Sequence, residues 1–156
     1  MKREAARVLM IGVAAGLAGG LAEVAWIWLY AAVTSSDAAV VARGVTETLR
    51  VNSSAPVLAG ISIHMALAAA LGIAVASAVR PLRLEGMRLF GAMLWALAAV
   101  WAVNFMVVLP SLNPAFVEIV PLAISFVSKL SFGLAAAACL QFAARLEYVA
   151  SAVTSG

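Results

Sequence analysis

Four long apolar stretches, separated by short polar segments, set the pattern of the chain. Each is longer than the roughly 20 residues that a helix needs to cross a hydrocarbon core of about 30 Å. The apolar positions do not alternate with a period of two, and an open sheet would leave backbone groups unsatisfied in lipid, so the pattern predicts helices. The predicted membrane helices cover residues 8–33, 56–79, 89–110 and 121–144.

The segment between the first two apolar stretches is amphipathic. Over residues 37–51, the apolar side chains Val41, Val45 and Leu49 share one helical face, and the charged side chains lie elsewhere. This spacing predicts a helix that lies on the membrane surface or over the bundle. Two roles stay open for it: an interfacial connector, or a lid or docking helix for a substrate or partner.

The loop before the fourth stretch contains Asn113-Pro114-Ala115, which resembles the signature triplet of the aquaporin family. Aquaporins carry two such triplets and six spans, whereas this chain has one triplet and four stretches, so no functional residue is carried over. An Asn at a helix N-cap followed by Pro in the first turn predicts a short helical turn, which Pro121 interrupts.

Composition places the chain in lipid. Of its 156 residues, 65% are hydrophobic and 11% are charged, whereas a soluble domain is about 45–50% apolar and about 25% charged. A domain of this size cannot bury that much apolar surface. We therefore expect an all-α integral membrane protein, a four-helix bundle forming a single domain over residues 1–156, and exclude a soluble enzyme and a conventional nucleic-acid-binding module.

The positions of the basic residues predict the topology. Three Lys or Arg residues precede the first stretch, three lie between the second and third stretches, and one follows the fourth. The loop between the first and second stretches holds two, and the loop between the third and fourth holds none. By the positive-inside rule, both termini are cytoplasmic. The net charge of +3 is thus a topology signal, with no nucleic-acid partner expected. The compact design favours a bacterial inner membrane.

Each apolar stretch contributes one polar residue to a common layer, roughly 9–15 Å from the predicted outer end. They are Glu23, His64, Asn104 and Lys129. Ionisable residues inside a membrane are costly and are functional candidates by default. We therefore expect a Glu23–Lys129 ion pair, with His64 and Asn104 beside it.

Small residues at four-residue spacing mark the helix faces expected to pack closely. These glycines are Gly12, Gly16, Gly20, Gly60, Gly72 and Gly133. Glu23, His64 and Lys129 share faces with them, which favours an inward orientation, and the same faces would also suit docking of another membrane subunit or self-association. The orientation of Asn104 is less certain from spacing.

The polar layer has three interpretations. It fixes helix register as a structural ion pair, it binds a proton, an ion or a small ligand, or it faces a partner subunit. One histidine, one cysteine and scattered methionines do not supply a haem or metal site. A supported nucleophile–base pair is missing as well. We expect no cofactor, no metal and no enzymatic activity.

The stretch Leu21-Ala22-Glu23-Val24 resembles the first helix of the small multidrug resistance transporters. In that family the glutamate is the site at which protons and cationic substrates compete, so the resemblance implies proton-coupled transport through Glu23. A lysine partner would act against this role, because it favours the charged carboxylate and removes it from proton traffic.

Together these patterns favour a non-enzymatic membrane protein, a subunit or small-ligand-binding component of a larger assembly in the lipid bilayer. The alternative is a small proton- or ion-coupled transporter or channel that works as a homo-oligomer.

Overall fold

The computed structural model describes residues 2–154, which are almost entirely helical and contain no strand. Within that range the α-helices are α1 Lys2–Thr34, α2 Ala39–Thr48, α3 Pro56–Val79, α4 Gly86–Val103, α5 Leu109–Leu112, α6 Pro114–Ile119 and α7 Leu122–Thr154. A 3₁₀ turn, Arg80–Leu82, follows α3, and a π-helical segment, Asn104–Val108, joins α4 to α5.

Among these residues, four helical segments are long and apolar enough to cross a membrane, which confirms the four predicted helices. They are Glu4–Thr34, Pro56–Leu82, Gly86–Leu112 and Leu122–Glu147. The chain runs through them up and down, so the ends of α1 and α4 and the beginnings of α3 and α7 share one end of the bundle. We call this the loop end and the opposite end the terminal end.

The first and fourth long helices, α1 and α7, extend further than predicted. The apolar stretch defines only the part of a helix that can lie in lipid, and the helix itself continues into polar sequence. α1 begins at Lys2 rather than at residue 8, and α7 continues to Thr154 rather than ending at 144. Polar side chains pair across these extensions. Arg7 Nε lies 2.8 Å from Glu147 Oε1, and Arg80 donates to Glu4 at 2.5 Å.

The third predicted helix does not end at Pro110, and helical backbone continues to Leu112. Proline has no N–H and its ring crowds the carbonyl four residues earlier. The backbone widens here into the π-helical segment, where the Leu109 N–H donates to the Asn104 carbonyl. Such a bulge relieves the proline without ending the helix.

α1 is the central helix: it packs along α3 on one side and along α7 on the other. α4 packs on α7, and α2 packs on α3. Phe132, Met93 and Leu97 have the largest fully buried side chains and form the α4–α7 contact. At the terminal end, Val75 and Val79 of α3 pack against the cluster that contains Leu89 and Met93 of α4. Towards the loop end the two helices are separated by open space.

Glycines set the distance between α1 and α3. A Cβ on Gly72 would lie 2.4 Å from Gly16 Cα, one on Gly12 2.7 Å from Ile73 Cα, and one on Gly20 2.7 Å from Ala68 Cβ. The backbones of α1 and α3 therefore touch along this face. Because α3 covers Gly12, Gly16 and Gly20, this stripe of α1 offers no free surface for docking.

Two of the six glycines have other surroundings. Gly60 faces α2 rather than α1, since a Cβ there would lie 1.9 Å from the Ala42 carbonyl oxygen. Gly133 has Met93 O as its nearest neighbour at 3.5 Å, which leaves room for a methyl group. Two glycines outside the predicted stripes also lack room for a side chain: a Cβ on Gly19 would lie 2.7 Å from the Phe132 ring, and one on Gly44 would lie 2.4 Å from the Phe116 ring.

The Gly16→Ala substitution should separate α1 from α3, because its Cβ would lie 2.2 Å from the Ala68 carbonyl oxygen. Overpacking of this kind costs about 1–3 kcal/mol. The matched control is Gly91→Ala in α4, where nothing lies within 4 Å of the added Cβ and a gain of about 0.5–1 kcal/mol is expected. Unfolding in mild detergent measures both; equal stability of the two variants would contradict the packing argument.

Candidate functional site

The carboxylate of Glu23 lies between two basic side chains from different helices. Its Oε1 atom is 2.6 Å from Lys129 Nζ on α7, and its Oε2 atom is 3.5 Å from His64 Nε2 on α3. The Glu23 side chain is only 6% exposed, that of Lys129 16% and that of His64 29%. The structure therefore brings three of the four predicted polar residues together around one carboxylate.

Lys129 compensates the buried charge of Glu23 directly. An ionised carboxylate removed from water is stable only when paired and hydrogen-bonded. Lys129 Nζ also lies 5.5 Å from the centre of the Phe132 ring, whose face attracts a cation. The His64 Nε2 atom is buried and lacks a hydrogen-bond partner among the described residues, so the histidine is near Glu23 but is not held by it.

Close helix packing aligns these side chains. Gly20, three residues before Glu23, lies against Ala68, which is four residues after His64 on the same face of α3. Gly19 in turn lies against the Phe132 ring of α7, three residues after Lys129. The small residues that let α1 approach both neighbours thus also place the three polar groups at one level.

Asn104 lies on the π-helical segment and lines the same cavity as the other three residues. Its side chain makes no hydrogen bond to any of the described residues, so the structure does not join it to the Glu23 pair. The exposed Ser62 hydroxyl and the half-buried Ser131 hydroxyl donate to carbonyls of their own helices and make no hydrogen bond to the Glu23 pair.

A cavity of about 450 Å³ opens beside the ion pair, between α3 and α4 and towards the loop end. Its walls are mainly aliphatic and aromatic side chains of α1, α2, α3 and α7 and of the segment from Val100 to Phe116. The polar side chains near the ion pair that line it are Glu23, His64, Asn104, Ser125, Ser128 and Lys129.

The loop helices α2 and α6 cover this cavity. Gly44 of α2 lies against the ring of Phe116 in α6, and Asn113 Nδ2 donates to Thr48 Oγ1 at 3.1 Å. Asn113 Oδ1 accepts from the Phe116 N–H at 3.3 Å, and Pro114 occupies the first turn of α6. The Asn-Pro-Ala triplet is therefore a helix cap, and the same asparagine ties the two loop helices together.

Asp37 anchors the beginning of α2. Its Oδ1 accepts from the Ala39 N–H at 2.9 Å, and its Oδ2 pairs with Arg43. The Arg43 guanidinium, and then the Ala39 amide, hold the pKa of the Asp37 carboxyl below its ordinary value of 3.8. Because the folded-state pKa is lowered, this support for α2 is complete above pH 3.8 and is lost as the pH falls through the lowered pKa.

The covering of the cavity by α2 and α6 is the part of the site that sequence patterns did not locate. Gly44 and Phe116 are far apart in the chain, and neither belongs to a polar motif. The amphipathic pattern of residues 37–51 indicated a helix, but it left open whether its apolar face met lipid or the bundle. The described residues include no group of three or more His, Cys, Asp or Glu side chains able to hold a metal ion.

Comparisons with known protein families, curated proteins and solved structures find no match.

The Glu23→Gln substitution should destabilise the protein by about 3–5 kcal/mol, because it leaves the Lys129 ammonium buried without its counter-charge. Adding Lys129→Met should recover most of that loss, which a double-mutant cycle of unfolding free energies in detergent would measure. A double variant no more stable than the sum of the two single losses would show that the 2.6 Å contact does not couple the residues.

Proposed function

We propose that the protein is a multi-pass membrane protein, without enzymatic activity of its own, that binds a small amphipathic molecule in the cavity beside Glu23 and Lys129. The observation that carries this proposal is the combination of a large apolar cavity with one convergent polar end. Ligand sites have volumes of about 300–1,000 Å³, apolar walls and a few polar groups that fix orientation. The cavity of about 450 Å³ lies within that range.

A purely structural ion pair does not account for this cavity. Protein interiors are close-packed, and a pair that only fixed helix register would be surrounded by side chains on all sides. Lys129, His64 and Asn104 instead line open space, and polar atoms there need partners. A bound molecule would provide them.

Ligand binding has more support than the docking of another subunit. The expected docking faces were the small-residue stripes, and those of α1 are occupied by α3. On α7, the small residues Ala136 and Ala137 are also buried within the bundle. A role inside a larger membrane assembly thus depends on other surfaces, whereas the cavity belongs to this chain alone.

A proton- or ion-coupled carrier is the second candidate, and the contact between His64 and Glu23 favours it. Two titratable groups 3.5 Å apart, both lining a cavity, are suited to proton transfer. The distance of 2.6 Å between Lys129 Nζ and Glu23 Oε1 favours a ligand-binding protein over a carrier. A carrier would need this carboxylate to bind and release protons, whereas the Lys129 ammonium favours its charged form.

The Val100→Trp substitution should fill part of the cavity, since Val100 lines it from α4, and should remove a bound small molecule from the purified protein. Val103→Trp is the matched control: it lies on the same helix, it is 58% exposed, and it does not line the cavity. Native mass spectrometry of each variant from mild detergent would detect the bound mass, with thermal unfolding as the check of folding.

Two results would contradict this proposal. One is the same bound mass in both variants. The other is a protein without any bound small molecule that conducts protons in liposomes and loses this activity on Glu23→Gln, which would establish the carrier.

We further propose the lipid bilayer of a bacterial inner membrane as the setting, with both termini cytoplasmic. In a Cys139→Ala background, an impermeant maleimide should label Ser36→Cys at the loop end in intact cells, and Glu85→Cys at the terminal end only after lysis. Both positions are exposed. Labelling of Glu85→Cys in intact cells would reverse the orientation predicted from the basic residues.

A further inference from the structure

The polar end of the cavity has no net charge when His64 is neutral. Glu23 and Lys129 are one acid and one base in direct contact. A third charge placed beside them would be buried without compensation, whichever its sign, and burial of an unpaired charge is costly. The site therefore selects against both a cationic and an anionic head group.

Several hydrogen-bond donors at this end of the cavity have no acceptor among the described residues. The Lys129 ammonium has three protons, and among the described residues it pairs with Glu23 alone. The Asn104 amide makes no hydrogen bond within residues 2–154 and also lines the cavity. The structure thus presents unused N–H groups from α7 and from the π-helical segment.

Ser128 adds a hydroxyl to this set. A serine in a helix commonly donates to the carbonyl four residues earlier, which here is that of Ile124. That carbonyl accepts from Trp26 Nε1 at 3.1 Å, and Ser128 makes no hydrogen bond to the other described residues although it is 6% exposed. Its hydroxyl is therefore available to a molecule in the cavity.

From this set of donors we infer that the ligand is an uncharged, hydrophobic molecule whose head carries carbonyl oxygens, as in the quinone class. This inference rests on the proposed function and names its substrate class. A carbonyl oxygen accepts a hydrogen bond from Lys129 Nζ without adding charge to the site. The Asn104 amide and the Ser128 hydroxyl lie at the same end and can donate to further acceptor atoms. The apolar ring and chain fill the remainder of the cavity.

A series of four probes that share a ten-carbon chain tests the head group. They are decylubiquinone with carbonyls, decyltrimethylammonium with a positive charge, decanoate with a negative charge and decylbenzene with neither. Each would be added at equal bilayer concentration to the unaltered protein in lipid nanodiscs, with occupancy measured by native mass spectrometry. We expect decylubiquinone to bind at least tenfold more tightly than the other three, because a hydrogen bond to a charged group is worth roughly a factor of ten or more.

Other orders of binding overturn the inference in distinguishable ways. Tighter binding of the cation or of the anion contradicts the neutral head group while leaving a ligand-binding cavity. Equal binding of decylbenzene and decylubiquinone shows that the polar end does not recognise carbonyls. Failure of all four probes to bind, with no endogenous molecule in the cavity, contradicts the proposed function itself.

A paired substitution connects the selectivity to the ion pair. Glu23→Leu with Lys129→Met replaces two buried charges by apolar side chains, a change that folded proteins often tolerate. It should weaken decylubiquinone binding at least tenfold and leave decylbenzene binding unchanged. The matched control, Arg7→Met with Glu147→Leu, removes the half-exposed ion pair at the terminal end and should change neither.

Asn104→Leu provides a second variant that leaves the ion pair intact. It should reduce decylubiquinone binding several-fold, since one neutral hydrogen bond is lost. Unchanged decylubiquinone affinity in both Asn104→Leu and the Glu23/Lys129 variant would overturn the assignment of the head group to this end of the cavity.

Discussion

The buried carboxylate of Glu23 is the constraint on which the rest of the structure depends. Its side chain is almost completely enclosed in a helix of mainly apolar residues, so a positive charge must lie next to it. Lys129 meets this requirement only if α1 and α7 are in register and in close contact. The glycines of α1 allow that contact, and they bring His64 on α3 to the same carboxylate. Charge compensation and helix packing are therefore one arrangement.

Unequal packing among the helices produces the cavity. α1 and α3 touch along their backbones, and α4 packs on α7 through large side chains such as Phe132 and Met93. The space between α3 and α4 is covered at the loop end by α2 and α6 rather than filled. The ion pair thus lies at the edge of a tightly packed region, with its unused donors facing open space. Apolar walls and a polar end without net charge are the features on which the proposed binding of an uncharged amphipathic ligand depends.

The cover of the cavity is held by polar contacts at the ends of α2 and by close packing along it. Two non-glycine residues with left-handed backbone, Ser35 at φ 56° and Arg50 at φ 53°, bracket α2. Between them, α2 is held by the Asp37 contacts and by the bond between Asn113 and Thr48. α2 also packs closely against α3, since a Cβ on Gly60 would lie 1.9 Å from the Ala42 carbonyl oxygen. Its Val41 and Val45 side chains pack against the buried cluster that Phe105, Leu109 and Phe116 form.

The sequence by itself determined the four long helices and the common level of Glu23, His64 and Lys129, because both follow from local patterns: length in lipid, and rise per residue along a helix. It also predicted the Asn113 cap. Only the tertiary structure decided that Gly60 faces α2, that the helix continues past Pro110, and that α2 and α6 close over a cavity. Those features arise from contacts between residues distant in the chain, and an apolar face looks the same in sequence whether it meets lipid or another helix.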